Sequence, residues 1–500
     1  MLKMVDGTGI IGVDMVCPLG GAVSPPQPPN FDKVEVEGVG SLMLPNSLKV
    51  PLERVELIGN SVQGENPAPD NPQEIKSAGR KSKNLFNKNT AKQGYEFPSA
   101  GSDVEALKEG WFVSDFMPVK AITYCISGKE TGNGCKLYNK DKVFVKNMQA
   151  PFGNIKFDEG IAYFRINGEI KDLDKIQVEE GTVATDYEPY GYFLDLKVTG
   201  KNLFDQSKLI SGFINMTTGA FEESANTLFA NSLILDKPIL LKSGQTLVTS
   251  VDNKYAQNFL RYRTYRKDGT FLINNEPISF SYKATEDLYV IALFYNGMSD
   301  EDKKSLQIEI SDEPTTYEPY AEQILTLTSD RPLTKWDKLV EQGGQYGWLY
   351  QSVIDSNVKP SRTDLFPNGF SLFKDFGNGV YVYKVTNIKK AIGFQTSLCE
   401  QFKNKDGSYS TGDLFCYSDQ PSMQMQYFVT DIPTLEEFKT WMEANSLTMV
   451  YKTTQTEFVP LSQEEQTQLR NLHSYNGTTN ITVDSGEVPC GIKLTYRKEI

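Results

Sequence analysis

One histidine, His473, limits the chemistry that this sequence can perform. Ser-His-Asp and Cys-His hydrolysis need an imidazole as base, and many zinc sites use one as a ligand. Each of these sites would therefore have to include His473. It follows a short helical pattern and precedes Ser474 and Tyr475, which is typical of a surface turn. We therefore expect no catalytic residue, no metal and no cofactor.

Two weaker signals also fall short of an active site. The segment Gly7–Gly12 (GTGIIG) fits the dinucleotide-binding pattern GxGxxG, but that pattern needs a preceding strand and a following helix. Here it begins at residue 7 and runs on to Asp14 and Pro18, so we expect an N-terminal arm. A glycosidase needs two carboxylates at a fixed separation, and no local pair stands out among the 64 acids.

Composition favours a multi-domain β protein. The chain has 500 residues, with 25 Tyr and 28 Phe but 4 Trp, and aromatic residues favour strands. The net charge is −13, with acids spread along the chain, which argues against nucleic-acid binding. The longest apolar run, Tyr289–Tyr295, is too short to span a bilayer. The six cysteines show no CxxC spacing, so we expect free thiols, with hairpin disulfides Cys125–Cys135 or Cys399–Cys416 as the alternative.

A repeated phrase predicts duplicated modules. Ile176–Tyr190 reads IQVEEGTVATDYEPY and Leu306–Tyr320 reads LQIEISDEPTTYEPY, with seven of fifteen positions identical. Each phrase is preceded by an opening KNLF, at residues 83–86 and 201–204. A repeat of this size indicates two copies of one structural unit.

A second landmark lies inside each copy. Tyr138–Phe144 aligns without gaps on Tyr265–Phe271, and both read as an aromatic strand end, a turn and an aromatic strand start. Phe402–Tyr409 resembles these hairpins and suggests a third, diverged copy. The apolar runs before Asn167-Gly168 and Asn296-Gly297 read as strands that stop at these turns.

These marks predict a mainly β fold: tandem β-sandwich (jelly-roll-like) modules, an N-terminal attachment region and a small α+β C-terminal part. Capping boxes at Thr434 and Ser462 predict the helices. The flanks of the repeats are expected to pair into a small β platform. The predicted domains are an arm and platform over 1–80, sandwiches over 81–195 and 196–322, a β connector over 323–349, a diverged sandwich over 350–457 and a C-terminal helix and strands over 458–500.

Several segments resemble one protein family. Val55–Gly79 (VELIGNSVQGENPAPDNPQEIKSAG) closely resembles a segment that recurs in tail and baseplate proteins of phages of Gram-positive bacteria. The KNLF openings, the YEPY closings, Leu327–Leu339 and Phe438–Val483 resemble the same family, so the likeness is spread over most of residues 50–490. It implies a virion structural protein of the tail tip or baseplate, made in the host cytoplasm, with carbohydrate-binding-like sandwiches. A homo-oligomer, most simply a trimer, is implied as well.

We therefore expect a non-catalytic receptor-binding protein that attaches the virion to a host cell-surface glycan. Its expected partners are other tail or baseplate proteins and host wall polysaccharide or teichoic acid, without nucleic acid or membrane insertion. Two alternatives stay open: a purely structural component that braces other tail proteins, and a glycan-degrading tail enzyme.

Sugar binding by a sandwich uses aromatic rings as platforms, with polar groups that reach the hydroxyls. Trp111, Tyr262 and Tyr289 are the ligand-binding candidates. Core or cross-strand packing is the competing role for each of them.

Overall fold

The computed structural model describes residues 4–6, 9–11, 31–45, 49–99, 101–130, 135–148, 153–223, 232–250, 260–272, 281–294, 300–361, 370–386, 397–404, 410–420 and 423–499. The described chain is mainly β, built almost throughout from antiparallel sheets, so the predicted fold class is confirmed. Within these ranges, no helix has both the length and the apolar character needed to cross a bilayer.

A two-sheet sandwich, here called the central sandwich, joins segments from distant parts of the chain. Its large sheet contains, in spatial order, Phe31–Val39, Gly491–Glu499, Leu52–Ile58, Lys338–Gln342, Gln345–Val358, Leu447–Pro460 and Ser397–Cys399. Its small sheet contains Glu322–Ser329, Tyr192–Thr199, Thr478–Asp484 and Ser41–Pro45, with Arg80–Lys81 paired to Tyr192–Thr199. The strands Thr478–Asp484 and Gly491–Glu499, which the sequence analysis assigned to a separate C-terminal part, thus pair with strands from the N-terminal region.

One apolar core fills the space between these two sheets. Leu196 and Ile481 from the small sheet meet Leu57 and Trp348 from the large one, all at most 2% exposed. Helix Gln463–Asn471, which begins with the predicted capping box at Ser462, adds Leu469 to the same core. Alternate residues of each strand supply this core, as the two-residue period of a strand requires.

Within residues 83–190, the described ranges form a separate sandwich, module 1. One sheet contains Phe144–Met148, Cys135–Tyr138, Tyr163–Glu169, Ala106–Val113 and Lys92–Glu96, with Met117–Pro118 also paired to Tyr163–Glu169. The other contains Gly153–Lys156, Thr123–Ser127 and Gln177–Glu180. Short 3-10 helices span Lys88–Thr90 and Ile170–Asp172. Its buried side chains form a core of their own.

Within residues 201–320, the described ranges form module 2, which has the same strand order. One sheet contains Leu209–Ser211, Leu233–Leu235, Leu288–Phe294, Leu260–Arg266 and Phe271–Leu272, with Ile239–Leu241 paired to Leu288–Phe294. The other contains Ser281–Lys283, Thr246–Ser250 and Gln307–Ile310, and a small pair joins Phe213–Ile214 to Phe221–Glu222. Helices span Gln206–Lys208 and Asp300–Ser305. This core too is separate.

The aromatic hairpins confirm the alignment of the two modules. Tyr138 lies opposite Phe144, and Tyr265 lies opposite Phe271, with ring centroids 6.1 and 5.2 Å apart. The expected third hairpin is described only at its first residues, 402–404, and stays a prediction. Phe402 is buried, and Lys403–Asn404 pairs in parallel with Asp413–Gln420, while residues 405–409 lie outside the described ranges.

The predicted diverged sandwich over 350–457, here called module 3, shares two long strands with the central sandwich. Strands Gln345–Val358 and Leu447–Pro460 pair along nearly their whole length, and their far ends enter a second core around Phe438. The sheet over that core contains Phe370–Asp375, Tyr381–Thr386, Met423–Thr430, Asp413–Gln420 and Lys403–Asn404. Helix Leu435–Ala444 begins at Thr434, as its capping box predicts, and buries Phe438 and Met442.

Three local expectations have clear outcomes. Asn167-Gly168 does not end a strand, because Tyr163–Glu169 runs through it; a Cβ at Gly168 would lie 3.1 Å from the ring of Phe112, so the glycine permits close packing. Cys125, Cys135, Cys399 and Cys490 are free and buried. The described part of the GxGxxG motif, Gly9–Ile11, pairs with Met4–Asp6 as a two-stranded arm, and residues 7, 8 and 12 lie outside the described ranges.

Two of the motifs behind the family resemblance stabilise this framework. In LTSDRPLTKWDKL the fully buried Asp337 accepts hydrogen bonds from Thr334 N (2.9 Å) and Gln351 N (2.8 Å), and it pairs with Arg331 at 3.3 Å. The Pro-rich loop after residue 63 lies against module 3, where Gln73 N donates to Glu400 O at 2.7 Å. These motifs hold parts of the chain together.

An asparagine at the opening of module 1 closes it on its last strand. Asn84 is 1% exposed. Its Nδ2 donates to Ile176 O (2.9 Å) and Glu188 O (3.1 Å), while its Oδ1 accepts from Phe86 N (2.9 Å) and Val178 N (3.0 Å). All four hydrogen-bonding positions of the amide are thereby used. The beginning and the end of the module are joined by one side chain.

The same contacts recur in module 2 through Asn202, which is 2% exposed. Its Nδ2 donates to Leu306 O (3.2 Å) and Glu318 O (2.9 Å), and its Oδ1 accepts from Phe204 N (3.0 Å) and Ile308 N (3.2 Å). The asparagine of KNLF thus joins the opening motif to the backbone of the closing motif in both modules.

The glutamine, glutamate and threonine of the repeat complete the closure. Gln177 Nε2 donates to Glu179 Oε1 (2.7 Å), which also accepts from Thr185 N (2.9 Å), and Glu188 N donates to Gln177 Oε1 (2.7 Å). In module 2 the corresponding contacts among Gln307, Glu309, Thr315 and Glu318 measure 2.8, 2.7 and 2.8 Å. We call Asn84, Gln177, Glu179 and Thr185, with their module 2 counterparts, the clasp.

Replacing the clasp asparagine should open one module at a time. Asn84→Ala leaves two amides and two carbonyls without partners, so we expect a local loss of about 2–3 kcal/mol, confined to module 1. Asn202→Ala should do the same in module 2. Amide hydrogen exchange of the full chain measures both, with the exposed Asn89→Ala as control. Equal loss of protection in both modules from either variant would contradict the independence of their cores.

The clasp should also weaken in acid. Burial raises the pKa of Glu179, but hydrogen bonds from Thr185 and Gln177 outweigh it and hold the pKa below its ordinary value. A depressed folded-state pKa contributes stability above the unfolded pKa, and this is lost as the pH falls below about 4. Calorimetry between pH 7 and pH 3 should show a smaller drop in the module 1 transition for Glu179→Gln than for wild type or the exposed control Glu180→Gln. An unchanged pH dependence would refute this role.

Candidate functional site

Trp111 lies on the strand Ala106–Val113 and is half-buried. The ammonium of Lys108 lies 3.4 Å from the centroid of its ring, and Lys108 pairs with Glu96 at 2.7 Å. This face of the indole is covered by a paired cation, so a sugar could stack there only after displacing Lys108.

Tyr262 cannot serve as a sugar platform in this structure, and here the sequence-based candidate is corrected. Its side chain is 0% exposed in the core of module 2, and its hydroxyl is hydrogen-bonded to that of Thr249. Burial raises the pKa of Tyr262. The alternation of strand Leu260–Arg266 turns this ring inward, which is the packing role that the sequence had left open.

Tyr289 is the most accessible of the three, at 36% exposed. It pairs across the sheet with Tyr265 on one side and Leu240 on the other. The equivalent position in module 1 is Tyr163, opposite Tyr138. Both modules therefore have a tyrosine at this position. The structure does not bring the three predicted residues, Trp111, Tyr262 and Tyr289, together into one site.

A groove in module 1, which the sequence reasoning missed, combines rings with polar groups. It has a volume of about 140 Å³ and lies between segment 85–90, segment 114–118 and Tyr190, with Lys81 beside it. Segment 85–90 directly follows the clasp residue Asn84, and Tyr190 is the last residue of the repeat. The clasp therefore sets the distance between two walls of the groove.

Phe116 forms an aromatic wall of the groove, and neighbouring side chains fix the position of its ring. Its ring contacts Tyr138 edge-on, with centroids 4.7 Å apart. The guanidinium of Arg165 and the ammonium of Lys142 each lie 4.8 Å from its centroid. Such cation contacts are each worth about 0.5–1 kcal/mol at exposed sites, so the ring is held in place before any ligand arrives.

Tyr190 supplies a hydroxyl on the facing wall. Burial, together with Asp330 and Asp115 nearby, raises the pKa of Tyr190, so its hydroxyl stays protonated at neutral pH. The hydroxyl makes no hydrogen bond to any residue that the structure describes. Asp115 uses Oδ1 to accept from Phe116 N at 2.7 Å, and its side chain is exposed. The groove therefore presents a donor, an acceptor and two rings.

His473 takes part in a structural contact. Its backbone exchanges hydrogen bonds with the side chain of Gln323 (2.8 and 3.1 Å), and its Nδ1 lies 3.1 Å from Asn471 O. No Asp, Glu or Cys side chain within the described ranges hydrogen-bonds to its ring. Searching the same ranges for three or more His, Cys, Asp or Glu side chains that could hold a metal ion finds no such group.

No known protein family and no curated protein matches this chain. Among solved structures, it aligns with the arabinofuranosyltransferase AftD from Mycobacteria at 9% sequence identity, over 93% of this chain and 36% of that one, with a TM-score of 0.11. The chain thus spans about a third of that protein's length. A likeness with so low a TM-score carries no argument about fold or activity.

The different burial of the two module 2 tyrosines should be measurable. Tyr262→Ala empties a fully buried site and should destabilise module 2 by about 3–5 kcal/mol. Tyr289→Ala removes a partly exposed ring and should cost less than about 1 kcal/mol. Thermal unfolding of both full-length variants compares them. A larger effect at Tyr289 would contradict these burials.

Proposed function

We propose that this chain is a non-catalytic adhesion protein of a phage tail tip or baseplate, which attaches the virion to a host cell-surface glycan. The observation that carries the proposal is the contrast between the modules. They share strand order and clasp, yet Tyr190 borders a groove while its counterpart Tyr320 is hydrogen-bonded to Glu322. A common scaffold with differing surfaces is how binding proteins vary their specificity.

The partners follow from this proposal: host wall polysaccharide or teichoic acid, and other tail or baseplate proteins. Each groove contact would be weak, and a homo-oligomer, with a trimer as the expected state, would supply avidity. The virion location and the absence of catalysis are part of the same proposal and have the same tests.

A purely structural role is supported by one specific observation. Val104 and Leu107, near one end of module 1, are 68% and 81% exposed. Apolar side chains exposed to this extent and close together are suited to contact with another protein. A purely structural component that braces other tail proteins would use this surface and would need no glycan. The other alternative, a glycan-degrading tail enzyme, would release reducing ends from wall material.

The attachment of each module allows a clean deletion experiment. Lys81 pairs with Tyr192, and Ser82 N donates to Gly191 O at 2.9 Å, so a two-residue Asn-Gly turn can replace residues 83–190. Thr199 pairs with Glu322, and Gly200 N donates to Ala321 O at 3.1 Å, so residues 201–320 can be replaced in the same way.

An adhesin immobilised as the full chain should retain Gram-positive wall glycan, and at least one of the two deletions should abolish retention. Binding of fluorescently labelled wall fragments measures this. Retention that neither deletion changes would contradict adhesion through modules 1 and 2. Co-purification with tail proteins without any retention would favour the brace, and new reducing ends would favour the enzyme.

A further inference from the structure

We infer that the groove of module 1, and not the equivalent place in module 2, binds a neutral sugar unit of the wall polysaccharide. This inference rests on the proposed adhesive function and deepens it by naming the module, the site and the ligand chemistry.

The corresponding segments of module 2 are tied together. Asn87 caps the 3-10 helix Lys88–Thr90, and Asp205 caps Gln206–Lys208 in the same way. The strand register aligns Asp115 with Asp236. In module 2, Asp236 N donates to Lys208 O at 2.9 Å, which joins the two segments across the place where module 1 has its groove.

In module 1 these segments stay apart. Phe116 N donates to the carboxylate of Asp115 at 2.7 Å, which is a contact within its own segment. No backbone hydrogen bond joins residues 87–90 to residues 114–118 in this described part of the chain. Apart from the contact of Oδ1 with Phe116 N, the carboxylate of Asp115 makes no hydrogen bond to a described residue, so its Oδ2 remains available to a ligand.

The last tyrosines of the two repeats, Tyr190 and Tyr320, also differ in whether the hydroxyl has a hydrogen-bond partner in the protein. The hydroxyl of Tyr320 donates to Glu322, whereas that of Tyr190 has no partner within the described residues. A hydroxyl that no protein group uses can form a hydrogen bond with a ligand without breaking one within the protein. Sugar hydroxyls both donate and accept, so they suit Tyr190 and Asp115 at once.

The charge and size of the groove favour a neutral ring over a phosphate chain. Charges of both signs surround the groove: Lys81, Lys142 and Arg165 are positive, and Asp115, Asp330 and Glu105, which pairs with Arg165 at 2.8 Å, are negative. A polyanion would gain little from surroundings in which the charges are balanced. The volume of about 140 Å³ is below the roughly 300–1,000 Å³ of pockets for drug-sized ligands. It therefore suits one sugar ring in contact with Phe116.

A groove-filling variant tests the site without removing core packing. Thr90 is exposed at the groove, and its counterpart by position in the capped helix is Lys208. We expect Thr90→Trp in the full chain to lower retention on teichoic-acid-free wall polysaccharide at least tenfold, and the matched control Lys208→Trp to leave it unchanged. Tyr190→Phe, which removes one hydroxyl, should weaken binding about three- to tenfold.

The probes are wall polysaccharide and purified teichoic acid from the same Gram-positive cells. If Thr90→Trp and Tyr190→Phe retain polysaccharide as wild type does, the groove is not the site, although adhesion itself would stand. If Lys208→Trp alone loses retention, the assignment to module 1 is overturned. Retention of teichoic acid, but not of polysaccharide, would overturn the ligand class. If wild type retains neither probe, the proposed function itself fails.

Discussion

A single buried amide side chain determines how each duplicated module is closed. Asn84 and Asn202 each use two donors and two acceptor positions on the backbone of the first and last segments of their sandwiches. An asparagine with an unmet position would cost stability, so the opening motif requires the closing one. The groove wall at 85–90 directly follows Asn84, and Tyr190 lies two residues after Glu188, whose carbonyl accepts from Asn84; the separation of the two walls therefore depends on this contact.

The sequence predicted what depends on local pattern. Strand alternation indicated the fold class, the capping boxes at Thr434 and Ser462 located two helices, and the aligned hairpins placed Tyr138 opposite Phe144 and Tyr265 opposite Phe271. The mainly β prediction is confirmed. The domain boundaries, the phage assignment and the glycan remain predictions, because no comparison bears on them.

The sequence could not supply contacts that depend on distant pairing. Tyr262 was misjudged because a seven-residue strand does not reveal which of its faces will be covered. Asn167-Gly168 read as a turn, although Gly168 is there to admit the ring of Phe112. The groove was missed because its walls come from three segments; the adjacency of KNLF and YEPY to its lining was the one signal that could have located it.

Each module is directly followed by a strand of the small sheet of the central sandwich, Tyr192–Thr199 after module 1 and Glu322–Ser329 after module 2. These two strands are neighbours in that sheet. The unit that was copied is therefore a sandwich together with one strand. Any relative that gained another copy by unequal crossing-over would have to widen its small sheet by one strand. Copy number in such a lineage would then be limited by how many strands that sheet can accommodate.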